Sequence, residues 1–143
     1  MSDKFIGQTL AEKYRIEQLW RESGLGNVYR GKHLGMEKDV TVKILSPTLA
    51  IDEKIVKRFN EEARTVSHIS HPNVLNVTDF GSDKEGAVFI VSEESEGETL
   101  KDAIGKQGKF SPERAIRVAR QIASALSAAH AAGVVHKNLT SEN

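Results

Sequence analysis

Between Tyr14 and about Val91 the chain is a succession of short β-rich runs, YRIEQLW, NVYRGKHL, DVTVKIL, VLNVTDF and AVFIVSE, interrupted once by a helical pattern. This order is the strongest constraint on the fold. Val, Ile, Thr, Tyr and Phe concentrate in the runs, and Gly, Asn, Asp and Lys lie between them, as strands and their connections require. GMEK at 35–38 and GSDKEG at 81–86 read as hairpin turns, so the runs predict five strands in an antiparallel meander. In the interruption, IDEKIVKRFNEEARTVSHIS, the apolar positions Ile51, Ile55, Phe59, Ala63, Val66 and Ile69 recur at three- and four-residue steps. That spacing predicts a helix with one buried stripe and charged residues opposite. Pro72 stops it from continuing.

After Gly97 the pattern turns helical: TLKDAIGKQG is short and broken by Gly, and Ser111 to Ala132 is long and rich in Ala. Ser111 suits the cap, Pro112 the first helical position and Gly133 the far end. The expected architecture is therefore α+β, with a sheet-and-helix lobe over 1–95 and a helical segment over 96–143. Of 143 residues, 38% are hydrophobic, enough for a core, and 20 basic residues balance 20 acidic ones. Zero net charge argues against a general nucleic-acid binder, which needs a basic surface. The sequence holds no Cys, no apolar run long enough to span a membrane and no secretory signal, so a cytoplasmic, reducing setting is expected.

Six stretches then match a known family in its order and spacing, over essentially the whole chain. LWRESGLGNVY resembles the glycine-rich loop of protein kinases, VTVK the third-strand lysine motif, and RFNEEA the helix that carries its glutamate partner. HPNVLNV resembles the segment leading into the fourth strand, VSEESEGETL the hinge, and HKNLTSEN the catalytic loop. The phrasing is most similar to bacterial serine/threonine kinases. The resemblance implies a kinase amino-terminal lobe of five antiparallel strands plus one helix, followed by the hinge and the first helices of the second lobe. ATP and magnesium are the cofactors it implies.

The same residues depart from the family at its working positions. Arg21 and Ser23 stand where the first two loop glycines belong, Gly26 is the one retained and Gly24 lies between. Arg21 could itself hold phosphate through a charge-assisted contact. Trp20, just before the loop, either stacks on a base or fills its place, and Val28 follows on the next strand. Lys43 is kept, and the resemblance implies that it contacts the α and β phosphates while pairing with Glu62; a purely structural ion pair is the alternative. By the same resemblance Thr41 replaces the usual Ala, Ser92 takes the gatekeeper position, and Glu93, Glu94 and Ser95 belong to the hinge, where backbone groups recognise the base.

The catalytic loop is degenerate. By resemblance His136, Lys137 and Asn138 occupy the His-Arg-Asp positions, Thr140 that of a Lys and Asn143 that of a magnesium ligand. An amide at Asn138 has no basic lone pair with which to take the acceptor's proton, and general-base help is worth about 10²- to 10⁴-fold. Thr140 removes a cation that steadies the transferring phosphoryl group. The carboxylate of an Asp-Phe-Gly motif is expected further along than Asn143, so Asn143 is read as a vestigial metal ligand. Asp79, Phe80 and Gly81 spell that motif but lie upstream of the hinge, where strand end and turn are expected. His68, His71, His130 and His136 read as structural rather than metal-binding, and EEARTV and SEESEGE as solvated faces.

The function expected from the sequence is a truncated, pseudokinase-like module that does not transfer phosphate alone, with ATP binding weak or lost and magnesium left open. It would act through another protein, or through a second copy, at the face of helix 111–132 bearing Ile116, Ile122 and Leu126. The alternative is a fragment of an ATP-dependent serine/threonine kinase whose activity resides in a longer parent.

Overall fold

Each β-rich run becomes a strand, and residues 3–143 are described by this computed structural model. The elements in chain order are β1 (Thr9–Leu10), β2 (Tyr14–Arg21), β3 (Gly26–His33), β4 (Lys38–Leu45), α1 (Glu53–Ser67), β5 (Val77–Ser82), β6 (Val88–Glu93), α2 (Leu100–Gln107) and α3 (Pro112–Ala131). They form two compact units, one running through His68 and resuming at Leu75–Ser95, the other made of Ile69–Val74 and Glu96–Asn143.

The first unit is a six-stranded antiparallel sheet in the order β1-β2-β3-β4-β6-β5. Two features depart from a five-stranded meander. The two-residue β1 extends one edge beside β2. After β4 the chain passes through α1 and returns as β5 at the opposite edge, which leaves β6 between β4 and β5. Composition accounts for the swap: VFIV of β6 is apolar on both faces and suits an interior strand, whereas VTDFGS of β5 is polar enough for an edge.

Alternation along β4 assigns the two faces. Val40, Val42 and Ile44 enter the larger core with Tyr14, Ile16, Tyr29, Phe89 and Val91. The Tyr29 hydroxyl donates to Asp3 at 2.7 Å and that of Tyr14 to Asp79 at 2.6 Å, so both buried rings have their polar ends satisfied. On the opposite face Leu45 and Val88 pack against Phe59 of α1. The helix starts where Asp52 accepts from the backbone N–H groups of Lys54 and Ile55. Ile51 therefore lies ahead of the first turn and is 84% exposed, not part of the buried stripe.

In the second unit, Thr99 caps α2 by accepting from Asp102 N–H at 3.1 Å, and Gly108 ends it at φ 73°, a conformation a side chain would strain. Ser111 caps α3, Pro112 opens it and Gly133 follows it at φ 78°. No residue of α3 is fully buried, and Ile116 is 57% exposed. His71 accepts Asn73 N–H at Nδ1, so its Nε2–H donates to the Ser124 hydroxyl at 2.9 Å and ties 69–74 to α3. Among the described residues no helix is long and apolar enough to cross a membrane.

Candidate functional site

Strand register assembles a row of side chains on the α1-bearing face of the sheet. Arg21 pairs with Val28, Val28 with Lys43 and Lys43 with Ile90; one step along, Arg30 pairs with Thr41 and Thr41 with Ser92. Directly opposed residues of antiparallel strands share a face, so these residues form two adjacent rows. Thr41 and Ser92 are the only buried polar residues among those described, at 7% and 9% exposure. They set two small hydroxyls beside each other where the family more often has apolar groups.

Lys43 does not close the ion pair expected with Glu62. Glu62 is exposed and is held by Arg58 at 3.2 Å, one helical turn back, while among the described residues no carboxylate lies within 4.0 Å of the Lys43 ammonium. The local i,i+4 partner requires no approach of helix to strand, and it takes the carboxylate. Burial first, then the charge of Arg21, hold the Lys43 ammonium below its ordinary value of 10.5, with Glu62 partly opposing them.

Arg21 is the second cation of the row. Its Nε lies buried with no hydrogen-bond partner, one of two such side-chain atoms among the described residues, the other being Asn60 Oδ1. Its guanidinium sits 5.5 Å from the Trp20 ring, and that of Arg30 sits 5.7 Å from the same ring. Arg30 in turn reaches Glu94 at 3.6 Å. Trp20 is thus engaged by two guanidiniums, at 36% exposure.

The glycine-rich loop is closed on itself. The Ser23 hydroxyl donates to the Gly26 carbonyl, and Gly26 N–H donates to the Ser23 carbonyl at 3.1 Å. Gly26 is required by β4: a Cβ there would meet the Ile44 carbonyl oxygen at 2.0 Å. Gly24 meets no such neighbour. In the hinge, Glu93 exchanges contacts with Asn76, donating N–H to its carbonyl at 3.1 Å and accepting its N–H at Oε1, whereas Ser95 is exposed.

The loop at 136–143 belongs to the second unit and is also internally bonded. His136 Nδ1 accepts from Asn138 N–H, Asn143 Nδ2 donates to the Asn138 carbonyl at 2.8 Å, and Asn143 Oδ1 accepts Thr140 N–H at 2.9 Å. Lys137 adopts φ 62°, a tight bend for a non-glycine residue. Lys101 pairs with Glu142 and donates its backbone N–H to the Ser141 carbonyl at 2.8 Å, tying the loop to α2.

A six-stranded antiparallel sheet with one helix on its face, followed by a capped helical pair and a polar loop, defines a kinase amino-terminal lobe with the beginning of a second lobe. Comparison with known proteins agrees: the family described as Protein kinase domain matches residues 21–143. The chain belongs to the protein kinase family. Serine/threonine-protein kinase pkn3 of Myxococcus xanthus is 42% identical over 142 residues, which is 99% of this chain and 26% of that relative. Serine/threonine-protein kinase PrkC of Bacillus subtilis is 33% identical, with 96% of this chain and 21% of the relative covered. The PknI kinase domain of Mycobacterium tuberculosis has the same fold at a TM-score of 0.81 and 26% identity, covering 100% of this chain and 58% of that one. The chain thus spans about a quarter of the length of the curated relatives it matches.

Protein kinases generally use ATP and magnesium, and the residues present suit the two unequally. A polyanion fits the row that carries Lys43 and the unpartnered Nε of Arg21. Magnesium does not fit the loop at 136–143: a hard dication takes carboxylate oxygens, Asn143 Oδ1 already accepts a backbone N–H, and Glu142 is paired with Lys101. Among the described residues no three His, Cys, Asp or Glu side chains gather as a metal site.

Asp79, Phe80 and Gly81 lie within β5, where Asp79 receives the Tyr14 hydroxyl and Phe80 lies 5.6 Å beneath the Arg64 guanidinium. His68 ends α1, its Nδ1 2.7 Å from the Arg64 carbonyl. Sequence reasoning missed Arg30 and Asn76. Arg30 was findable, because it stands two residues after Val28 on a strand and so shares its face. Asn76 had no such signal, since its role depends on the pairing of β5 with β6.

Proposed function

We propose that this chain is the nucleotide-facing part of a serine/threonine-kinase-type domain that binds nucleotide without transferring phosphate, a pseudokinase module working through protein contact. Residues 1–95 hold the nucleotide and 96–143 carry the contact surface on α3, for another protein or a second copy. The observation that carries the reading is Asn138: an amide stands where the family has its proton-accepting Asp, in a loop whose Asn143 side chain is bonded back to its own backbone. Loss of general-base help costs about 10²- to 10⁴-fold, and phosphoryl transfer relies on positioned charge throughout.

The second reading, a portion of an active kinase, is favoured by coverage, because relatives named as serine/threonine kinases extend far beyond the matched quarter. One experiment separates the two. The longest natural polypeptide containing this chain is incubated with γ-labelled ATP and magnesium, and nucleotide binding is followed in parallel by thermal shift. The expected outcome is a shift with ATP and no label above background. Label that disappears in Lys43→Met establishes the active kinase instead.

A further inference from the structure

The glycine-rich loop and the cation row differ in which donors they leave unpartnered. In a kinase the loop's backbone amides approach the phosphates. Here Gly26 N–H is bonded to the Ser23 carbonyl, and the Ser23 hydroxyl is turned onto the Gly26 carbonyl, so the loop closes within itself. The free donor is elsewhere: Arg21 Nε is buried and unpartnered. Arg21 and Lys43 flank Val28 on one face, two strands apart, and among the described residues neither has a carboxylate within ion-pair distance. Two partly buried cations held near each other without a counterion are unfavourable unless an anion joins them. The mutual influence is felt at Lys43, whose ammonium is disfavoured by burial and by Arg21.

We propose that Arg21 and Lys43 form a metal-independent polyphosphate site, Arg21 supplying in one guanidinium fork the donors and the positive charge that a glycine loop and a magnesium ion otherwise divide. The proposal rests on the nucleotide-binding part of the reading above. A guanidinium suits the task because it presents several donors in a plane that matches phosphate oxygens, and it stays charged when partly buried. The ligand class is a nucleoside di- or triphosphate: buried Val28 lies between the cations, and the buried Thr41 and Ser92 hydroxyls occupy the next row of the same face, so apolar and small polar groups stand beside the charge.

The test is calorimetric titration of the full chain with ATP, ADP, adenosine and inorganic tripolyphosphate, each in EDTA and in magnesium. Wild type is expected to bind ATP in EDTA within about threefold of its affinity in magnesium, in the order ATP, ADP, adenosine, because protein cations neutralise the phosphates. Arg21→Gln should weaken ATP about tenfold or more in EDTA and leave adenosine unchanged, whereas Arg21→Gly should leave the binding that remains dependent on magnesium. Should either variant fail to fold by circular dichroism, salt serves with wild type alone, and rising ionic strength must weaken ATP more than adenosine. ATP binding seen only with magnesium, an Arg21→Gln affinity equal to wild type, or equal salt sensitivity of ATP and adenosine would overturn the site while nucleotide binding stands. Absence of binding by every nucleotide under both conditions removes the nucleotide reading as well.

Discussion

The sheet unit and the helical unit differ in how their apolar residues are used. Apart from Ile69 and Ala103, every buried apolar residue among those described lies in the unit that carries the sheet. The helical unit has well-made local structure, with capped starts and glycines past both helix ends, yet α3 buries none of its side chains fully. Local signals are thus enough to fix a helix, but only close packing fixes a site, and the row of Arg21, Val28 and Lys43 stands on the packed side of that division. The contrast breaks if core loss costs the same in both units. Ile44→Ala should destabilise the chain by about 2–5 kcal/mol in urea unfolding, since Ile44 is fully buried. Ile116→Ala should fall within about 0.5 kcal/mol. Equal losses would show that α3 is packed in solution.

Titration sharpens the same contrast, because both tyrosines belong to the sheet unit. Burial first, then the hydrogen bond to Asp3, push the Tyr29 hydroxyl up to about 12 from 10.0. Burial and Asp79 raise Tyr14 as well. A raised folded pKa means that the unfolded chain loses its proton first. The contribution is therefore complete below pH 10 and disappears as pH climbs through the Tyr29 value of about 12. Unfolding followed by tyrosine absorbance should show stability falling across that window, with a smaller fall in Tyr29→Phe. Tyr14→Phe, which leaves Asp79 Oδ2 without its donor while Oδ1 keeps the Phe80 N–H, should cost about 1–2 kcal/mol at neutral pH.

Lys43 carries the opposite sign. Its folded pKa is lowered, so its buried charge opposes folding at neutral pH, and that cost disappears as pH rises through the lowered value to 10.5. Lys43→Met should raise the melting temperature at pH 7 while weakening ATP. A loss of stability would mean that Lys43 has found a carboxylate in solution.

Most of the sheet was legible in the sequence because its strands announce themselves locally, through β-branched alternation and turn residues at Gly35 and Gly86. The position of β5 was not, since strand order is set by which run tolerates an edge, and that comparison is between distant segments. At the site, residue identities were readable from motif spacing. What eluded sequence was partnership: whether Glu62 faces Lys43 or Arg58, whether Ser23 faces a ligand or Gly26, and whether the Asn143 amide is free. Each has a nearby competitor three to five residues away, and local competitors form without the cost of bringing distant elements together.

The smallest expected effect bears on that competition. Arg58 and Glu62 are both largely exposed, so their i,i+4 pair is worth about 0.3–0.5 kcal/mol, and Arg58→Ala should barely move the unfolding midpoint. Yet the substitution removes the nearest rival for the Glu62 carboxylate. If a local partner is what keeps Glu62 from Lys43, Arg58→Ala should raise the Lys43 pKa, readable from the ammonium resonance by NMR, because an opposite charge favours the protonated form. An unchanged Lys43 pKa would place the obstacle in the backbone spacing of α1 and β4 instead of in the rival partner.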